Sequence, residues 1–234
     1  MKKIGFLLLL LCSTAFAQKN YIPEKAFSYK EIIKIELDTY FPTIPDYNYI
    51  PSLTEHESCI SLKHSRCWNS TSRLKSAREE GAGLGQITRA YKKDGSLRFD
   101  SLQAMKDRYK QELKQASWET IYQKPDVQIR MMILMVRDDY KKLYNIENPI
   151  ERLHMTDASY NGGIGGLLKE RRACGMSASC NPNIWFNNVE RFCLKSKTAI
   201  YGQRSPCDIN RHHVEDVFHN KLPKYRAKYF TEEL

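Results

Sequence analysis

From Ile4 to Leu11 the chain is apolar without a break, behind the charged pair Lys2-Lys3. Ala15-Phe16-Ala17 then follows with the small-x-small spacing of a secretory cleavage site. The run falls well short of the ~20 apolar residues that span a bilayer, and Leu11 is too large for a lipoprotein site at Cys12. Residues 1–17 are therefore expected to be a cleaved signal peptide, and 18–234 the folded part. Beyond the signal the pattern is helical. Ser28-Tyr29-Lys30-Glu31 reads as a capping box ahead of Ile32, Ile33, Ile35 and Leu37, with Phe41-Pro42 as the stop. Helices are expected over 47–58, over 83–93, and from the second capping box Asp100-Ser101-Leu102-Gln103 to Gln115. A long helix starts at Pro125-Asp126. It is apolar on every side from Met131 to Val136, the pattern of a helix buried at the centre of a bundle. Spans 149–160, 163–173, 183–193 and 208–220 complete the set. No stretch alternates as a strand over more than a few residues. There is no Pro/Gly/Ser-rich linker and no repeat, so the expectation is one mainly α domain with at most a minor β element.

Composition narrows the compartment. The 234 residues carry seven cysteines and a formal charge of +10. Loss of residues 1–17 removes Lys2, Lys3 and Cys12, leaving a charge of +8 and six cysteines. An even cysteine count in an exported chain points to disulfides. Pairing of sequence neighbours (Cys59–Cys67, Cys174–Cys180, Cys193–Cys207) closes short loops and is the expected connectivity. No C-x-x-C occurs, which argues against zinc. Glu55-His56-Glu57 looks like half of H-E-x-x-H, but Ile60 stands where the second His belongs. His212, His213 and His219 are better read as surface or packing residues, so no metal and no cofactor is expected.

Three separated segments carry the candidate chemistry. The first, Ile50 to Ser58, ends a partly apolar helix on Glu57-Ser58. A carboxylate at a helix C-terminus that packs into a cleft is disfavoured as an anion by burial and by the helix dipole. That is the kind of acid that protonates a glycosidic oxygen at neutral pH. The second, Gly81-Ala82-Gly83-Leu84-Gly85-Gln86-Ile87-Thr88, lets backbone approach a neighbour or ligand closely. In it, Gln86 offers an amide suited to a sugar hydroxyl or N-acetyl group. A phosphate cradle is a poor reading, because no Lys-Ser or Lys-Thr follows the glycines and no strand is expected ahead of them. The third, Ser159-Tyr160-Asn161-Gly162-Gly163, presents an aromatic ring and an amide at a helix end.

In this order the three segments resemble the lytic transglycosylases of the lysozyme-like superfamily. The likeness runs from about 47 to 220, where Asn210 to Val217 is similar to the family's closing helix, with a His at a position often held by Tyr. It implies a lysozyme-like helical fold and cleavage of the N-acetylmuramic acid–N-acetylglucosamine bond of peptidoglycan, leaving a 1,6-anhydro sugar. Glu57 matches the single acid/base of the family. Ser58, Gln86, Tyr160 and Asn161 match positions that line the glycan groove.

The chain departs from the family pattern in three places. The 26 residues from Glu57 to Gly83 are more than usual, and hold Cys67-Trp68 and a basic run from Arg66 to Arg78. This reads as a loop pinned by Cys59–Cys67 at the cleft edge, with Trp68 a candidate sugar-stacking residue; Trp118 and Trp185 read as core. Glu79 and Glu80 stand before Gly81 in place of small residues. Gly85 replaces the usual Met, which is expected to enlarge that wall.

Two rival functions follow. A two-carboxylate muramidase would pair Glu57 with Glu79 or Glu80, although the Asp that goose-type lysozymes carry two residues past the Gln is Thr88 here. A non-catalytic cationic cell-wall binder would use the +8 charge alone and has no need of Glu57. No nucleic-acid motif accompanies the basic residues. The expected partner is therefore peptidoglycan rather than nucleic acid, with no transmembrane segment beyond the signal. An exported monomer, periplasmic or secreted and of bacterial or phage origin, is expected. Wall remodelling, a secretion or conjugation apparatus, and phage lysis all suit it. Asn69-Ser70-Thr71 matches a glycosylation acceptor, which the bacterial-looking signal discounts.

Overall fold

The computed structural model describes residues 20–199 and 202–231; the signal segment 1–17 lies outside them. The fold is mainly helical, 51% helix and 8% strand, with one small four-stranded sheet. In chain order the elements are α1 (Glu24–Phe27), α2 (Lys30–Tyr40), α3 (Tyr49–Ser58), β1 (Arg73–Lys75), β2 (Glu79–Ala82), β3 (Ile87–Tyr91) and β4 (Leu97–Asp100). There follow α4 (Ser101–Arg108), α5 (Pro125–Lys142), α6 (Pro149–Gly162), α7 (Ile164–Gly175), α8 (Pro206–Glu215) and α9 (Leu222–Arg226). A π-helical turn, Asp216–Lys221, joins α8 to α9. Pro223 has no N–H to offer the carbonyl four residues back, which accounts for the widened turn ahead of it.

Helix α5 explains its own apolar circumference. Ile129, Met132, Ile133 and Val136 enter the large core built with α2, α3, α6, α8 and α9. Val127, Met131 and Leu134 enter a second core beneath the sheet, with Ala82, Ile87, Leu102 and Met105. The helix therefore has no solvent face along this stretch, because it is the wall between two cores.

Three expected helices come out differently. The span 83–93 is a 3-10 turn, Gly83–Gly85, followed by strand β3. Gly83 and Gln86 take positive φ (60° and 43°), which breaks any helix, and Ile87, Thr88 and Tyr91 suit a pleated surface. The strands form an antiparallel meander, β1-β2-β3-β4, with an irregularity at Ala90/Tyr91. The helix from Ser101 ends at Arg108, well before Gln115; Asp100 caps it by accepting from the Gln103 N–H. The span 183–193 is a series of turns with one 3-10 turn, Val189–Arg191. There Asn187 is left-handed and the Asn188 side chain accepts from the Asn181 N–H, so asparagines close local turns instead of propagating a helix. The capping box at Ser28 is also not formed. The Ser28 hydroxyl donates back to the Lys25 carbonyl at 2.8 Å, and α2 starts after an uncapped Tyr29.

The cysteines pair as sequence neighbours: Cys59–Cys67, Cys174–Cys180 and Cys193–Cys207. Among the described residues no helix is long and apolar enough to cross a membrane.

Candidate active site

Glu57 sits on the last turn of α3, its side chain 16% exposed. Its Oε1 is 2.8 Å from Nε2 of His213 on α8, and His213 Nδ1 is 2.7 Å from Asp157 Oδ2 on α6. The Tyr49 hydroxyl, two turns before Glu57 on α3, donates to the other Asp157 oxygen at 2.8 Å. His213 and Asp157 are 1% and 0% exposed, so a buried carboxylate–imidazole pair backs a carboxylate that alone reaches solvent. Burial opposes a charged His213 ring, yet Asp157 and Glu57 together outweigh it and push its pKa up to about 10. His56 packs edge-on to His213, with ring centroids 4.2 Å apart, and its Nδ1 meets Asp216 Oδ2 at 2.7 Å. Burial, and then the charge on His213, hold His56 below its ordinary pKa.

The Tyr160 ring stacks 6.5 Å from His213, and its hydroxyl donates to the Gly85 carbonyl at 2.8 Å. That bond ties α6 to the sheet turn beside Glu57. Burial, then Glu57 and Asp157, raise the Tyr160 pKa well above its ordinary value, so the hydroxyl stays a donor. The turn itself is clamped by Gln128, buried in α5. Its Oε1 accepts from the Leu84 N–H at 2.8 Å, and its amide donates to the carbonyls of Ser70 and Ile121. A Cβ on Gly83 would lie 2.0 Å from Gln128 Oε1, so only glycine fits the clamp.

No protein-family model matches the chain, and no curated protein is similar to it in sequence.

The structure brings Glu57 and Tyr160 together around His213 and reassigns several neighbours. Trp68 is not at the groove. It is fully buried, with its ring 5.8 Å from that of Tyr29 and 6.5 Å from that of Tyr229, because the Cys59–Cys67 bridge folds the loop inward. Ser58 is 4% exposed. Its hydroxyl donates to the Thr54 carbonyl and accepts from the Trp68 N–H, so it staples that loop to α3 instead of facing a ligand. Gln86 folds back over Gly81 and donates to the Gly83 carbonyl at 2.9 Å. Asn161 is exposed, with its Oδ1 accepting from Asn210. Trp185 is fully buried, as expected of a core residue, whereas Trp118 is half-buried under the Arg89 guanidinium.

Glu80 is not available as a second catalytic carboxylate. It is 3% exposed and held by Arg73, Arg89 and the Tyr122 hydroxyl. Burial pushes its carboxyl up, but the Tyr122 hydroxyl and the two guanidinium groups carry it below the usual range. Glu79 points to the opposite face of β2, the face of Gly81 over which Gln86 lies, and is half-exposed. Nor does Gly85 widen the wall. A Cβ there would meet Met132 Sδ at 2.5 Å and the Tyr160 hydroxyl at 3.0 Å, so Met132 of α5 already fills the space.

Asp157, Tyr49 and Gln128 escaped the sequence reading. Asp157 and Tyr160 stand three apart on α6 and so share a face, a spacing that could have flagged Asp157. Among the described residues no group of three or more His, Cys, Asp or Glu is arranged to hold a metal ion. His219 instead stacks on Phe186 at 4.4 Å.

Proposed function

We propose that the chain is an exported peptidoglycan lytic transglycosylase with Glu57 as its acid/base. The observation that carries this reading is a single solvent-reaching carboxylate at a helix end, backed by a buried, proton-rich His213–Asp157 pair. In the reaction, Glu57 Oε1 protonates the glycosidic oxygen as the C1–O bond breaks. It then takes the proton of the muramoyl 6-hydroxyl as that oxygen closes on C1. No water enters, so no second carboxylate is needed. Tyr160, stacked on His213, holds the Gly85 turn in place beside the acid. The three disulfides suit an oxidising compartment, which supports export.

A muramidase is the second reading; the half-exposed Glu79 is the carboxylate it would use, since Glu80 is sealed by Arg73, Arg89 and the Tyr122 hydroxyl. Digestion of purified peptidoglycan with mass analysis of the fragments separates the possibilities. Anhydro-muramoyl ends support the transglycosylase, reducing ends the muramidase, and retention without release a cationic wall binder.

A further inference from the structure

We propose that His213 is a positioning residue that stores the proton of the reaction: Nε2 hands it to Glu57 Oε1 when glycan fills the cleft, and takes it back before turnover ends. This rests on the glycan-cleaving reading above. The starting point is a conflict between task and surroundings. A general acid must be a neutral carboxyl when its substrate is bound, yet the group 2.8 Å from Glu57 Oε1 is a ring whose charge two carboxylates stabilise. One proton lies in that contact, on nitrogen or on oxygen.

The groups around the ring fix where it rests. From α3 come Glu57 and the neutral His56; from α6 come Asp157 and the un-ionised Tyr160; from the π turn come Asp216 and Lys221, which face His56 rather than His213. The two carboxylates in direct contact keep the proton on the ring while no glycan is bound. Asp157, fully buried, holds Nδ1–H, so the labile proton is the one on Nε2. Glycan bound against Glu57, the partly exposed one of the two carboxylates on the ring, strips water from it and disfavours its charged form. Transfer from Nε2 to Oε1 then leaves Asp157 ionised, His213 neutral and Glu57 a carboxylic acid.

The accounting closes over the cycle. The proton passes from Oε1 to the leaving oxygen as the C1–O bond breaks. The 6-hydroxyl proton arrives on Oε1 as the new O–C1 bond forms, and it returns to Nε2. Among the described residues the fully buried glutamates Glu36, Glu55, Glu80 and Glu170 face Arg or Lys, which hold their protons far more tightly; Glu151, about as exposed as Glu57, meets His154 only at 3.3 Å.

Two measurements test it. Ring nitrogen NMR of the full chain with labelled histidine follows His213 from about pH 5 to about pH 10 without any substrate. The expected result is a doubly protonated ring at pH 7 that loses its proton only well into the alkaline range; a neutral ring at pH 7 overturns the proposal. The second is the pH profile of kcat/KM for glycan release by the natural chain and by His213→Gln. An amide cannot store a proton, so the alkaline limb is expected to fall by about two pH units or more, with activity near pH 5 within about tenfold of the natural chain. A uniform loss with an unmoved limb means that the ring only holds position, and overturns the proposal. Absence of release by the natural chain at any pH overturns the cleavage reading, and the relay's purpose with it. A neutral His213 beside normal release overturns the relay alone.

Discussion

Glu55 and Glu57 leave the same helix two residues apart, and they differ in the kind of cation each meets. Glu55 is 2% exposed, bonded to Lys224 Nζ at 2.7 Å and to the Tyr225 hydroxyl at 2.8 Å. Lys224 also donates to the Tyr21 carbonyl, so this cluster ties α3, α9 and the N-terminal segment into one sealed joint. Glu57 meets an imidazole instead and keeps an edge to solvent. A lysine or arginine partner makes a glutamate structural, because neither gives up its proton near neutral pH. A histidine partner makes the pair titratable. The same helix thus carries a fastener and an acid, told apart by residues about 160 positions further on.

The contrast breaks most visibly at Glu57. Glu57→Gln is expected to lower glycan cleavage by about 10²- to 10⁴-fold while the thermal unfolding midpoint stays close to that of the natural chain; unchanged turnover removes the assignment. Glu55→Ala should do the reverse. Stranding the Lys224 ammonium costs ~3–5 kcal/mol of stability, read by denaturant unfolding, with activity per folded molecule largely kept. Glu80→Gln loosens the sheet anchor formed by Arg73, Arg89 and Tyr122, at ~1–3 kcal/mol. If Glu80 were instead the second acid of a muramidase, its loss would abolish turnover with little change in stability.

A separate expected effect is on the pH dependence of stability. The folded pKa of His213 is raised to about 10 from an ordinary value of 6.5. Its contribution is therefore fully present below about pH 6.5 and is lost as pH rises through about 10. The unfolding midpoint should fall across that window in the natural chain and fall less in His213→Gln.

How much of this was legible depends on the range of the interaction that decides each feature. Helix α5 was readable because its apolar run is continuous in sequence. The place of Glu57 on the last turn of a helix was readable because the residues that set a helix end are neighbours in sequence. Strand β3 was not, since Ile87 to Tyr91 carries no strict alternation and its pairing with Glu79 to Ala82 is what makes it a strand. Trp68 misled for a similar reason: a tryptophan in a basic loop looks exposed until a disulfide and the Ser58 hydroxyl turn it inward. A His in the closing helix was visible as a substitution for Tyr, but nothing in the sequence singled out His213, which read as a surface or packing residue. Its meaning depended on Asp157, 56 residues earlier, and on Glu57, 156 earlier.

The Gly85–Met132 contact carries a consequence for how changes at the two positions combine. Gly85→Ala alone should cost ~1–3 kcal/mol by overpacking against the thioether, and less when Met132→Ala is present as well. The space behind the Gly83–Gly85 turn is one volume with two doors, position 85 on the turn and position 132 on the central helix. Only the sum of what enters is limited, so a side chain gained at one door has to be given up at the other.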